Sequence, residues 1–294
     1  MAMNLWQSIC DHIAQTVGGS STLDHASALG GGCINRAQRI TCGGTSYFVK
    51  LNDAGLLEMF EAEAEGLEEM ARSQTIRVPR PVCWGVSDGN AYLVMENLHL
   101  GGSGSAETLG HQLAALHRVT GDSYGWHRDN TIGSTPQPNS PSTDWTAFWR
   151  DQRLGFQLKL AARNGFGGRL QRSGEALLDR MPDLLDGHAP QPSMLHGDLW
   201  SGNYAFTREG DPVIFDPAFY YGDRETDLAM TELFGGFGGR FYGAYNEAWP
   251  LDPGYSVRKT LYNLYHILNH ANLFGGGYAS QAQGMMDRLL SEVR

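Results

Sequence analysis

Basic residues are in short supply in this chain. Lys and Arg number 22 against 32 Asp and Glu, a formal net charge of −10. Non-specific nucleic-acid binding needs a basic patch, so no nucleic-acid partner is expected. Cysteine is scarce too. Cys10, Cys33, Cys42 and Cys83 show no C-x-x-C spacing, which argues against a zinc site or a disulfide scaffold and for reduced thiols. No window approaches the roughly 20 apolar residues of a membrane span. The N-terminus has neither the basic nor the apolar region of a signal peptide. The expected location is cytoplasmic, without a membrane partner. Fixed-period repeats and low-complexity tracts are absent, and the 38 glycines cluster at loops.

The 294 residues are enough for a full core, as one large domain or two small ones. Leu5, Ile9, Ile13 and Val17 recur at helical spacing. A glycine-rich hairpin around Gly30-Gly31-Gly32 leads into strand-like segments at 37–41 and 46–51. Leu56, Phe60, Ala64, Leu67 and Met70 mark a helix within 55–72, and 91–95 reads as another strand. Residues 109–119 form a helical pattern, and the Pro/Ser/Asn-rich 133–143 reads as a long surface loop. Helical patterns follow at 144–163 and 172–186 and dominate after 226. The reading is an α+β, two-lobed chain. A small N-terminal lobe (1–95), with an antiparallel sheet and one main helix, is joined by a hinge at 96–99 to a larger, mostly helical lobe (100–294).

The stretch Leu195-His196-Gly197-Asp198-Leu199-Trp200-Ser201-Gly202-Asn203, with Asp216 thirteen residues after Asn203, has the spacing of a phosphotransferase core. Kinase catalytic loops place an Asp five residues before an Asn, with a second Asp on a nearby strand. Phosphoryl transfer asks the protein mainly for positioning and charge stabilisation. Asp198 is expected to take the proton of the attacking hydroxyl. Asn203 and Asp216 are expected to hold Mg²⁺ through oxygen ligands. His196 is expected to orient the loop. His117, His266 and His270 are read as packing or polar helix residues.

The nucleotide side follows the same logic. Gly31 and Gly32 allow close approach of backbone to phosphate. Lys50, eighteen residues after Gly32, matches a strand lysine that binds the α/β-phosphates of ATP. Glu61, Glu63 and Glu65 are the candidate partners for that lysine, and Glu63 is favoured because it follows Phe60 by one turn. Met95, Glu96, Asn97 and Leu98 read as the hinge, with the backbone of Glu96 and Leu98 against adenine and Met95 beside the ring. Cys33 lies in the glycine-rich loop, where N–H dipoles lower a thiol pKa. It is either redox-sensitive or an inert small residue.

These residues resemble a known family, the fructosamine/ketosamine kinases. They are relatives of the aminoglycoside phosphotransferases within the protein-kinase-like fold. The resemblance rests on Gly30-Gly31-Gly32-Cys33-Ile34, Asp129-Asn130-Thr131-Ile132-Gly133, 196–203, 215–230, Asn269-His270 and Leu273-Phe274-Gly275-Gly276-Gly277-Tyr278, and covers essentially the whole chain. It implies ATP-dependent phosphorylation of a ketosamine at the 3-hydroxyl of its sugar, followed by elimination that frees the amine. Ribulosamine, erythrulosamine and fructosamine adducts, free or protein-bound, are the implied substrates. The expected assembly is a monomer or weak homodimer.

A cationic ketoamine calls for an aromatic wall and carboxylates. Trp200 is placed to supply the wall, with core packing as the alternative. Asp223 and Glu225 are placed to supply the charge. Asp227 either shares that role or braces the catalytic loop at a helix start. Two other functions compete. One is a kinase for an aminoglycoside, choline-like or homoserine-like acceptor, disfavoured by resemblance alone. The other is a nucleotide-binding pseudokinase, disfavoured because Lys50, Asp198, Asn203 and Asp216 are all present. No A-P-E segment follows Asp216, as a protein kinase would need.

Overall fold

Strand alternation sets the two faces of the N-terminal sheet. Successive side chains on a strand point to opposite sides, so Val49 and Leu51 of one strand face one way and Lys50 the other. The structure, a computed structural model, describes residues 2–30 and 35–293. It forms two compact units, Met1–Ser105 with Ala205–Pro217, and Ala106–Tyr204 with Ala218–Arg294. The first unit thus runs past 96–99 and takes in a segment downstream of the catalytic motif.

In the first unit, α1 (Ala2–Val17) precedes β1 (Leu23–Leu29), β2 (Arg36–Cys42) and β3 (Thr45–Asp53); α2 (Leu57–Arg72), β4 (Pro81–Ser87) and β5 (Asn90–Glu96) follow. The five strands pair antiparallel in the order β1-β2-β3-β5-β4. Leu5, Ile9, Cys10 and Ile13 of α1 pack in one core with Ile40, Cys42, Val49, Leu51, Cys83, Tyr92 and Val94 of the sheet. Two 16-residue helices serve this unit where one main helix was expected. Leu5, Ile9 and Ile13 of α1 are buried while Val17 at its end is exposed, and Phe60, Ala64, Leu67 and Met70 of α2 are buried too.

Within this core Cys10 and Cys42 are joined as a disulfide, with Cα atoms 5.7 Å apart. This corrects the expectation of reduced thiols throughout. Sequence spacing tests only local pairings, whereas here packing of α1 on β2 brings together residues 32 positions apart. Cys83 remains a buried thiol whose pKa burial pushes up to about 12.

The second unit begins with α3 (Ala106–His117) and a two-stranded hairpin, β6 (Asn130–Ile132) and β7 (Thr135–Gln137). That hairpin corrects the long surface loop expected over 133–143, since Thr135, Gln137 and Asn139 are all buried. Their polar atoms are satisfied internally. The Gln137 amide donates to the Ala218 carbonyl (3.1 Å), and the Tyr265 hydroxyl donates to Gln137 Oε1 (2.7 Å). Buried Arg153 donates to Asn139 Oδ1 (2.8 Å) and lies over the Tyr220 ring. Polar composition misled here because buried polar groups are tolerated when fully hydrogen-bonded.

The chain continues through α4 (Trp145–Phe148), a π-helical turn (Trp149–Leu154), α5 (Gly155–Arg163), α6 (Arg169–Asp179) and α7 (Met181–Leu184) to β8 (Ser193–Leu195). Next come β9 (Tyr204–Phe206) and β10 (Pro212–Ile214), which pair with each other. Then β11 (Tyr220–Gly222) pairs antiparallel with β8. The helices α8 (Glu225–Leu233), α9 (Gly239–Ala248), α10 (Tyr255–Phe274) and α11 (Tyr278–Glu292) complete the unit. α10 is buried on nearly every side from Leu261 to Asn269, as a central helix must be. Among the described residues, no helix is long and apolar enough to cross a membrane.

Two stability predictions follow from these cores. A chain-entropy estimate for a loop of this length puts the Cys10–Cys42 link at about 3–4 kcal/mol. The Cys10→Ser/Cys42→Ser variant should lose about that much in denaturant titration and become insensitive to reductant, whereas the parent should shift when reduced. Equal midpoints for parent and variant in oxidising buffer would exclude a stabilising link. The second concerns His266, whose pKa burial depresses to about 3 and whose Nδ1 has no hydrogen-bond partner. The unfolded imidazole protonates near pH 6.5 and the folded one does not. Stability should therefore fall as pH drops from about 6.5 towards 3, by up to about 2 kcal/mol at pH 5. A His266→Gln variant should show a shallower loss between pH 6.5 and 5.

Candidate active site

Lys50 is nearly buried, and a buried ammonium must be paired. Its Nζ lies 2.5 Å from Glu63 Oε1 and 2.6 Å from Asp216 Oδ1. Of the three acids considered on α2, Glu63 is the one that reaches it, because Phe60 one turn earlier is fully buried and turns that face of the helix inward. Burial works to lower the Lys50 pKa, but Asp216 and Glu63 together outweigh it and raise the value. The ammonium stays charged. Burial raises the Glu63 pKa against the opposing pull of Lys50.

Asp216 follows β10 and has φ +59°, a left-handed conformation unusual for a side-chain-bearing residue. Such strain costs roughly 1–3 kcal/mol and persists only where surroundings enforce it. The ion pair to Lys50 is one such restraint. A second is the Ile214 N–H donating to the Arg77 carbonyl (3.0 Å), which anchors the strand just before. Arg77 also pairs with the Glu96 carboxylate (2.6 Å), which accepts from the Arg80 N–H (2.8 Å). The Glu96 N–H is itself donated to the Arg80 carbonyl (2.9 Å). Met95 is buried in β5. Gly31, Gly32 and Cys33 lie outside the described residues.

In the second unit the segment 196–203 is held from beneath by one buried carboxylate. Asp227 accepts from the N–H groups of His196 (2.7 Å) and Gly197 (2.8 Å) and contacts His117 Nε2 at 3.2 Å. Burial works to raise its pKa, but the hydrogen bond and charge of His117, with help from His196 and the Gly197 N–H, lower it overall. The anion is thereby tied to the loop it supports. Gly197 has φ +83°, and a Cβ there would sit 2.0 Å from the Ala218 carbonyl oxygen. Only glycine fits.

Above this brace, Asn203 Nδ2 donates to the Asp198 carbonyl (2.8 Å) and lies 3.4 Å from Asp198 Oδ2. With Nδ2 so engaged, Oδ1 is the acceptor atom of the Asn203 amide. Asp216 keeps its Oδ2 beyond the Lys50 contact, on a side chain that is 47% exposed. Each of these oxygens is by itself a hard donor of the kind that Mg²⁺ prefers. His196 is buried, and its Nδ1 accepts from the Asp198 N–H (3.2 Å). This is a hydrogen bond within the segment 196–203.

Trp200 is 38% exposed and stacks edge-on to Phe234, centroids 6.4 Å apart. Its ring folds back over Gly202, where a Cβ would lie 2.3 Å from it. The substrate contacts expected of Asp223 and Glu225 need correction. Both are buried, Asp223 accepting from Tyr262 (2.5 Å) and bonded to His188 (2.6 Å), Glu225 bound by Arg258 through two bonds of 2.6 and 2.8 Å. Acidic type and position in sequence could not reveal that protein cations and hydroxyls already occupy them. Sequence reasoning also missed His117. Its Nδ1 bonds to the Tyr245 hydroxyl at 2.7 Å and its Nε2 to Asp227. No motif marks it, since its partners lie more than a hundred residues away.

A family profile described as fructosamine kinase matches residues 5–292. A probable ketoamine kinase of Synechocystis sp. is 51% identical over 97% of both chains. The chloroplastic protein-ribulosamine 3-kinase of Arabidopsis thaliana is 44% identical, over 95% of this chain and 86% of that one. The crystal structure of a protein assigned as a fructosamine-3-kinase from Haemophilus somnus superposes with TM-score 0.90 at 33% identity, covering 98% and 99% of the two chains. An aminoglycoside phosphotransferase, at 17% identity over 97% and 98% of the chains, shares the fold with TM-score 0.60. The α+β, two-lobed architecture is therefore protein-kinase-like, and the chain belongs to the fructosamine kinase family of ATP-dependent phosphotransferases.

Proposed function

We propose that this protein phosphorylates the 3-hydroxyl of the sugar carried by a ketosamine, using ATP and Mg²⁺, and so initiates release of the amine. The observation that carries the reading is the loop 196–203, where Asn203 holds Asp198 and Asp227 holds the loop backbone. Family membership supports the acceptor class.

Asp198 accepts the proton as the sugar O3 attacks the γ-phosphorus. The new O3–P bond forms as the bond from the γ-phosphorus to the bridging oxygen breaks, and ADP leaves. Lys50, kept charged between Glu63 and Asp216, binds the α/β-phosphates. Asn203 and Asp216 would hold Mg²⁺, which supplies charge neutralisation on the phosphate oxygens. With its N–H donated to the Arg80 carbonyl, Glu96 offers adenine its own carbonyl, Leu98 adds a second backbone contact, and Met95 and Asn97 lie beside the ring. Asp223 and Glu225 act indirectly, by fixing the start of α8 from which Asp227 projects.

Phosphate at C3 makes the product labile. Loss of a C1 proton gives an enaminol, which expels the phosphate from C3, and hydrolysis of the resulting C1=N bond frees the amine. The overall charge of −10 suits a cationic substrate.

The test is ADP release with Mg-ATP across ribulose-lysine, fructose-lysine, an aminoglycoside, choline and no acceptor. Turnover on a ketoamine, with loss of the adduct over time, is expected; turnover confined to another acceptor would overturn the substrate assignment. Asp198→Ala should keep its ATP affinity and lose at least about 10²-fold in turnover. Asp216→Ala should lose Mg²⁺-dependent nucleotide binding as well. Unchanged turnover in both variants contradicts the mechanism.

A further inference from the structure

Large aromatic side chains are rarely left in water beside one another. Among the described residues, the exposed large hydrophobics are Val17, Leu56, Val86, Leu100, Trp200 and Phe274, and only the last two are aromatic. They are the two ends of a single strip of rings. Trp200 meets Phe234 at 6.4 Å, Phe234 meets His270 at 5.1 Å, and His270 meets Phe274 at 5.6 Å and Tyr278 at 5.1 Å. Local structure builds the far end. His270 and Phe274 are one turn apart on α10, and the turn Gly275–Gly277 returns the chain so that Tyr278, opening α11, reaches the same imidazole.

Phe274 is 55% exposed, so leaving it there forgoes the stabilisation that burial of its ring would contribute. A strip of rings left open at both ends marks a surface that something apolar covers. The chemistry of the strip narrows what that is. Ring faces attract cations, and burial lowers the His270 pKa, disfavouring the charged imidazole that would repel one. The rings suit methylene groups and an ammonium far better than sugar hydroxyls, which need polar partners.

We propose that Phe274 and Tyr278, gathered around His270, form a subsite for the amine carrier of the substrate, and that they set a preference for adducts on lysine side chains over adducts on small amines. The proposal rests on the functional reading above. Trp200 is two residues from the proposed base, so the reacting sugar occupies the Trp200 end. The amine, attached at C1, and its alkyl chain extend along the rings towards Phe274. The familial stretch Leu273–Tyr278, which the phosphotransfer chemistry leaves without a role, gains one here.

The test compares two ribulosamines that differ only in the carrier, Nα-acetyl-lysine and methylamine. Phe274→Ala should lower kcat/KM for the lysine adduct by about fivefold or more, mainly through KM. It should leave the methylamine adduct within about twofold. Phe274→Tyr should retain the lysine preference, and Trp200→Ala should depress both substrates. Equal losses of Phe274→Ala on both adducts, or no loss on either, with a parent that turns both over, overturns the subsite alone. A parent that phosphorylates neither adduct overturns the functional reading, and the subsite with it.

Discussion

The loop 196–203 depends on one buried carboxylate. Asp227 sits where no water can solvate it, so its charge must be met by protein donors. Two of these donors are backbone N–H groups of His196 and Gly197, and the third is His117. The anion is satisfied only when the loop has its native backbone, and the loop adopts that backbone only over the anion. Removing one partner of such an arrangement typically costs about 3–5 kcal/mol. The brace continues outward, since His117 is itself fixed by Tyr245, whose hydroxyl also accepts from Arg224.

The first unit solves a similar problem with opposite sign. Lys50 is a buried cation that would lose its charge if left alone, and Glu63 and Asp216 prevent this. The two carboxylates are not equivalent. Glu63 is buried on a helix, whereas Asp216 is half exposed on a backbone in the left-handed region. One anchors the lysine, and the other is restrained by it while keeping an oxygen outward. A fixed group and a presented group follow from the difference in burial.

Acidic residues elsewhere divide on the same principle. Asp223 and Glu225 carry the residue type that a cationic substrate would seek, yet Tyr262, His188 and Arg258 already surround them. In the loop 196–203 the large apolar side chain left open to solvent is Trp200. The strip from Trp200 to Phe274 is therefore the surface on which recognition of a cation with an apolar chain can be built.

Much of this was legible in the chain itself. The spacing of Asp198, Asn203 and Asp216, with Lys50 before them, announced phosphotransfer, because that chemistry needs an oxygen base, oxygen ligands and a phosphate-binding cation in a fixed order of loops and strands. Helical periodicity around Phe60 singled out Glu63 from its neighbours. The small-unit disulfide, the burial of the hairpin at 130–137 against Ala218 and Tyr265, and the role of His117 could not be read that way, since each depends on contacts between residues far apart in sequence. Local patterning reports which face of an element is apolar, but not what packs against it. Residue type and spacing determined the chemistry and carried the resemblance to the fructosamine kinases. Burial, which exists only once the chain has folded, decided which carboxylates are held inside, which remain outside and which rings are left exposed.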